Sequence, residues 1–163
     1  MNDAGPLVSV VVANHNHGRF LPEALDSALA QTHRPLEIIV VDDGSTDDSR
    51  DVISRYAVHA ILQPNAGQAA ALNAGVAATR GDVVCLLDAD DGWAPAKVER
   101  TVAALAEHEE AMWVRHGLSV VDAGRRPTGQ VVPRLRGSRR VAPSAAAVAE
   151  RVITASTSGI AFR

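Results

Sequence analysis

An α/β fold, a mostly parallel sheet with helices on both faces, is predicted by three observations. Apolar, β-branched runs of strand length recur through the first 110 residues. A stretch with helical spacing follows each of them, and the polar, glycine-bearing clusters fall just after the runs. Strands of a parallel sheet are buried on both faces, so they read as continuous apolar runs rather than as alternation.

The elements follow in order. "LVSVVVA" (7–13) is the first run and "LEIIVVDD" (36–43) the second. Between them Leu21, Ala24, Leu25, Ala28 and Leu29 recur at helical spacing, with Pro22 in a first turn, where its missing N–H is no loss. After Gly44 and Ser45, Thr46 or Asp47 can cap a helix in "TDDSRDVISRYA", with Val52, Ile53 and Tyr56 as its buried stripe. "HAILQP" (59–64) is a short strand, "GQAAALNAGVAATRG" (67–81) an Ala-rich helix closed by Gly81, and "DVVCLLD" (82–88) a further strand. A helix opens at Pro95 and carries Val98, Val102 and Leu105 on one face. Beyond residue 110, "AMWVRHGLSVVD" reads as a strand and "AGRRPTG" as a turn. "APSAAAVAERVI" reads as a helix with Ala145, Val148, Ala149, Val152 and Ile153 on one face.

Composition sets the boundaries of function. With 163 residues, 47% hydrophobic and 21% charged, the chain is expected to form one globular unit with a sizeable core. A net charge of -3 gives no reason to expect nucleic acid as a partner, nor does it indicate a membrane surface. Cys85 is the single cysteine, so no internal disulfide can form, which fits a reducing compartment. The N-terminal stretch has no basic region, and its apolar part, Leu7 to Ala13, is too short for a signal peptide or a span. A cytoplasmic, soluble protein is the expectation.

Ligands of open α/β sheets bind outside the carboxyl ends of the strands. "ANHNHG", "DDGSTDD", "QPNAGQ" and "DADDGW" follow the four strands in turn, so all four clusters belong on one edge. Asp88, Asp90 and Asp91 crowd three carboxylates at one strand end, and like charges sharing a site raise each other's pKa unless a cation is present. Mg²⁺ or Mn²⁺ is commonly held by one or two carboxylates together with substrate phosphates, so the pattern points to a metal–diphosphate ligand. No His/Cys set with zinc spacing competes.

"VSVVVANHNHGRFLPEALDSALAQTHRPLEIIVVDDGSTDDS" followed by "NAGQAAALNAGVAATRGDVVCLLDADD" closely resembles the GT-A-fold (Rossmann-like) glycosyltransferases of family 2, over about residues 7 to 110. The resemblance implies an inverting transferase that uses a nucleotide-diphosphate sugar, with a UDP-sugar favoured, and a divalent metal. It implies a donor-binding half over 1–110 and the start of an acceptor half over 111–163, incomplete because the chain is expected to be the N-terminal part of something longer. Ala13, Asn14, His15 and Asn16 would wall the nucleotide pocket, with His15 either stacking on the base or lying as a surface loop histidine. His15 and His17 are not expected to form a metal pair. Asp43 would bind the base, most simply a uracil N–H, while Asp42 caps or orients the loop. Asn65 and Gly67 would bring backbone close to the base, with Gln68 and Asn73 at the helix entry, and Asn73 equally able to be a structural cap. Leu72 stands where many relatives carry Arg. Asp88, Ala89 and Asp90 would lie along the donor. Asp90 and Asp91 are the implied metal ligands, and which acid touches the ion stays open. Trp93 is expected to pack beneath the turn.

The acceptor half supplies no general base. In relatives a Ser-Gly-x-x-Phe-Arg segment, here Ser158 to Arg163, precedes the acidic motif that provides it, and Glu109 and Glu110 read as a solvated helix face. Seven arginines against one acid between residues 115 and 140 suit an exposed loop, or a surface for a phosphorylated acceptor, a lipid phosphate or the donor diphosphate. The acceptor itself, whether sugar, lipid or glycan, and the oligomeric state are not legible. Two alternatives stand beside the transferase: a nucleotide-sugar binding module without turnover, and a nucleotidyltransferase. The latter lacks the Gly-rich, cationic loop needed to cradle a triphosphate.

Overall fold

The computed structural model describes residues 5–122, 126–132 and 159–163. The helix expected over 142–153, part of the turn expected over 123–129 and much of the arginine-rich stretch lie outside the described residues.

Strands β1 (Val8–Asn14), β2 (Leu36–Asp43), β3 (His59–Gln63) and β4 (Val83–Asp88) alternate with helices α1 (Leu21–Leu29), α2 (Ser49–Ile53) and α3 (Gln68–Ala77). Helix α4 (Lys97–Glu107) follows, then β5 (Trp113–Arg115), β6 (Leu118–Val121), β7 (Pro127–Val132) and β8 (Ile160–Phe162). The main sheet has the order β3-β2-β1-β4-β8-β5. Its first four strands are parallel, and β8 runs antiparallel to both of its neighbours. Register brings the polar ends together: Ala13 lies opposite Asp88, and Asn14 opposite Asp42.

Val10, Val12, Cys85 and Leu87 face α1, α2 and α4, where Leu21, Leu25, Val52 and Val98 complete the larger core. Leu21 and Leu25 are fully buried, and each such side chain contributes about 1.5–3 kcal/mol. The other face buries Val11, Ile39, Val41, Val84 and Leu86 beneath Ala71, Leu72 and Val76 of α3. Leu72 is thus a packing residue of that face. Gly75 lets α3 settle this closely, since a Cβ there would lie 2.4 Å from Val11 Cγ1 and 3.1 Å from Val41 Cγ2.

The strands differ from the sequence reading in three details, and α2 starts after Asp48 rather than Thr46 or Asp47 and ends before Tyr56. The run 111–122 is two strands, because the chain leaves the main sheet after Arg115 and pairs as β6 with β7 in a separate hairpin. Pro127 to Gly129, expected in a turn, already belong to β7. Residues 160–162, left unassigned by the sequence reading, enter the main sheet as β8. Arg163 anchors this strand by donating from its side chain to the carbonyls of Leu105, His108, Glu109 and Ala111, capping the end of α4. Among the described residues no helix is long and apolar enough to cross a membrane.

Candidate functional site

A cleft of about 440 Å³ opens along the carboxyl ends of β1, β2 and β4 and the N-terminus of α3. Ala13, Asn14, His15 and His17 form its first wall. Asn14 is 1% exposed; its amide donates to Asp42 Oδ1 (3.0 Å) and Ser45 Oγ (3.1 Å). That leaves Asn14 Oδ1 buried with no partner among the described residues. His15 Nδ1 lies 2.7 Å from the carbonyl of Asp43, and a carbonyl only accepts, so this nitrogen carries the proton. Nε2 is then the acceptor facing the amide of Asn16 at 3.2 Å. Asn16 itself is not in the lining: at φ 57° it donates its backbone N–H to Ser45 Oγ and accepts from Thr46 N, latching the first loop to the second.

Asp42 and Asp43 divide their work. The side chain of Asp42 is fully buried, outside the lining, and accepts from Asn14, the Ser45 N–H and Arg50 Nε. Burial pushes its pKa up, but the hydrogen bonds from Ser45, Arg50 and Asn14 outweigh this and hold it below the ordinary value. Asp43 lines the cleft and accepts from Gln63 Nε2 (2.7 Å), the Ala66 N–H (2.8 Å) and the Gly67 N–H (2.8 Å). Those bonds, Gln63 foremost, keep its carboxyl ionised and below its ordinary pKa. Between β2 and α2, Gly44 adopts φ 71°, and a Cβ there would stand 2.5 Å from Asn65 N. The second and third loops can therefore touch only through a glycine.

Asn65, Gly67 and Gln68 form the third wall, with Ala71 behind them. Gln68 Nε2 donates to Asp88 Oδ1 across the cleft at 3.1 Å. Asp88, Ala89 and Asp90 close the fourth side. Asp90 is exposed there, while Asp91, whose N–H donates to the Asp88 carbonyl in the turn, lies outside the lining. Asn73 is likewise outside, on the exposed side of α3. Trp93 is buried beneath the turn with Lys97 Nζ 3.8 Å from its ring centre.

Two lining residues were missed as such. His17 shares the loop of His15, and Ala71 stands one helical turn beyond Gly67 and Gln68, which was the available signal. Among the described residues no group of three or more His, Cys, Asp or Glu side chains could hold an ion alone. The hard oxygen donors Asp88 and Asp90, both on the cleft, suit Mg²⁺ or Mn²⁺ with phosphates completing the shell.

A parallel Rossmann-like sheet with its cleft across the strand ends, continued by an antiparallel strand beyond β4, defines an α/β domain of the GT-A class. The chain belongs to glycosyl transferase family 2, whose family model matches residues 9–146. It is 46% identical over 121 residues to an uncharacterized glycosyltransferase of Nostoc sp., covering 71% of this chain and 37% of that one. It is 40% identical over 91 residues to the glycosyltransferase GlyG of Streptococcus pneumoniae, covering 52% and 30%. Among solved structures, the mannosyltransferase PcManGT of Pyrobaculum calidifontis, in complex with GDP-Man and Mn²⁺, superposes with TM-score 0.62 at 28% identity, over 74% of this chain and 37% of that one. S. aureus TarS 1-349 in complex with UDP-GlcNAc gives TM-score 0.58 at 25% identity, over 63% and 32%. The chain thus spans well under half the length of each of these proteins.

Proposed function

We propose that this chain is the donor-binding half of an inverting glycosyltransferase that takes a UDP-sugar with Mg²⁺ or Mn²⁺ and delivers the sugar to an acceptor hydroxyl. The observation that carries the proposal is the pairing, across one cleft, of the Asp43 carboxylate with the Asp88 and Asp90 carboxylates. Asp43 has about four lone-pair sites and three protein donors, which leaves capacity for the imide N–H of uracil. Asn14 Oδ1, buried and unpartnered among the described residues, offers a second acceptor for a nucleoside donor. At the other end Asp88 and Asp90 would hold the metal, which when bound supplies Lewis-acid stabilisation of the departing diphosphate. Asn65 and Gly67 shape the base side, and Gln68 holds Asp88 in place by its amide. The GDP-Man and Mn²⁺ of PcManGT and the UDP-GlcNAc of TarS support a nucleotide-sugar cleft of this kind.

The cleft's acids are all engaged on the donor side, and we assign no general base. A nucleotide-sugar binding module is therefore the second reading. Thermal melts discriminate the base: UDP with Mn²⁺ should raise the melting temperature more than ADP or GDP, by binding the native state alone. Equal shifts from the three nucleotides would remove the Asp43 assignment. Release of UDP from UDP-sugars, with and without candidate acceptors, separates the readings. The transferase reading expects slow metal-dependent hydrolysis from this chain and acceptor-stimulated, inverting transfer from the longer protein; the module reading expects neither.

A further inference from the structure

Gln31 lies two residues beyond α1 and is 3% exposed, yet all of its side-chain hydrogen bonds go to backbone. Its Nε2 donates to the carbonyls of Ser27 (3.0 Å) and Ala94 (2.9 Å), and its Oε1 accepts from the Val98 N–H (2.9 Å). Ala94 follows the acidic turn by three residues, and Val98 is in the first turn of α4, whose N–H groups have no partner within their own helix. Two neighbours add to the same clasp: Ser27 Oγ accepts from the Trp93 N–H (3.1 Å), and the Thr32 N–H donates to the Pro95 carbonyl (2.9 Å). The end of α1 therefore grips residues 93 to 98 through backbone atoms. Helix α1 itself starts from the loop that carries His15 and His17, so it links that wall of the cleft to the segment that follows the acidic turn.

We propose that Gln31 is a positioning residue for the metal-binding acidic turn, setting the height of Asp88 and Asp90 relative to the nucleotide wall without touching either ligand. The inference rests on the metal–diphosphate reading of that turn. Backbone grip suits this role, because a one-ångström drop of the turn would leave Asp43 and the base wall intact while misplacing the carboxylates from the phosphates.

The test is calorimetric titration of UDP with and without Mn²⁺ into the wild-type chain, Gln31→Met and Leu105→Ala. Gln31→Met keeps the volume and removes the three hydrogen bonds; Leu105→Ala destabilises the core at the distant end of α4. A one-ångström misplacement far from the ligands can cost about 100-fold, so Gln31→Met should lose about 10-fold or more of the Mn²⁺-dependent affinity while metal-free UDP binding stays within about twofold. Leu105→Ala should lower the melting temperature and leave the Mn²⁺ dependence alone. If Gln31→Met does not fold, Ser27→Ala, which removes the acceptor of the Trp93 N–H and a hydroxyl bond to the Ala24 carbonyl, should show the same selective loss to a smaller degree. A parallel fall in both affinities, or an unchanged Mn²⁺ dependence, overturns the positioning role. A wild-type chain whose UDP binding ignores Mn²⁺ overturns instead the metal reading beneath it.

Discussion

Gly75→Ala sets two opposing effects against each other at a position where both can be sized. Inside a helix, alanine is favoured over glycine by about 1 kcal/mol, and Gly75 lies within α3. Against this, the new methyl would stand 2.4 Å from Val11 Cγ1 and 3.1 Å from Val41 Cγ2, where carbon atoms rest at about 3.5–4.0 Å. Val11 and Val41 are fully buried in the middle of the sheet, so the strain falls on the helix, which must lift by about 1 Å. Overpacking of this kind costs about 1–3 kcal/mol and occasionally more. The clash should win: the substitution should destabilise the chain by about 1–2 kcal/mol, lowering the melting temperature by about 2–8 °C for a chain of this size. UDP affinity should fall as well, because α3 carries Gln68 and Ala71 of the cleft. The assay is thermal unfolding followed by circular dichroism, in the wild-type and the Val11→Ala background. With the Val11 methyls gone, the 2.4 Å clash is removed and only the milder 3.1 Å contact with Val41 Cγ2 opposes the propensity gain, so Gly75→Ala should cost much less or become neutral. A stabilising effect in the wild-type background, or the same loss in both, would refute the close-packing account.

Two further outcomes concern pH. Asp42 and Asp43 have folded pKa values below their unfolded ones, so the stability they supply is complete above the unfolded value of about 4 and is lost as pH falls through the folded values. Chemical denaturation from pH 6 downward should show this acid loss, with a shallower fall in Asp42→Asn; parallel curves would exclude Asp42 as a contributor. Lys97 behaves in the opposite sense: burial holds its folded pKa below the ordinary value, so wild-type stability should rise as pH climbs from that folded value toward about 10.4. Lys97→Met keeps a side chain on the Trp93 ring and removes a buried amine whose polar neighbour is the Cys85 thiol. It should gain about 1 kcal/mol at pH 7, with the advantage shrinking by pH 10, as melts at both values would reveal.

The parallel core was legible because strands buried on both faces leave unbroken apolar runs, and because polar clusters after those runs must share an edge. That rule puts the clusters holding Asp43 and Asp88 on one edge, and the family resemblance then singles out Asp43 from its neighbour Asp42. Asn73 lies off the lining: it stands five residues beyond Gln68, about 140° around the helix at 3.6 residues per turn, which turns it away from the cleft side. Asn16 is expected in the wall because sequence shows proximity along the chain, not which amide latches a neighbouring loop, whereas Asp42, expected to cap or orient the loop, accepts from the Ser45 N–H. Asp91 belongs to the same acidic cluster, yet strand alternation ends at Asp88 and the following turn decides which acids face inward. Strand β8 left no periodic signal, since three residues are too few to show one.

That strand occupies an interior position in the sheet although it is the last of the described strands in sequence. During synthesis β1 to β4 can assemble as residues up to 88 emerge, but β5 has no partner until Ile160 to Phe162 follow. Until then the β4 edge, Val83 to Leu87, exposes apolar side chains beside unpaired backbone, a template for another chain to add to. Pairing of β8 with β4 and β5 therefore waits on one long-range closure across residues 89 to 159, a slow kind of step. A fragment ending before Gly159 would keep the nucleotide-facing loops and yet be prone to aggregate, so the boundary that matters for handling this domain lies in the late strand rather than in the cleft.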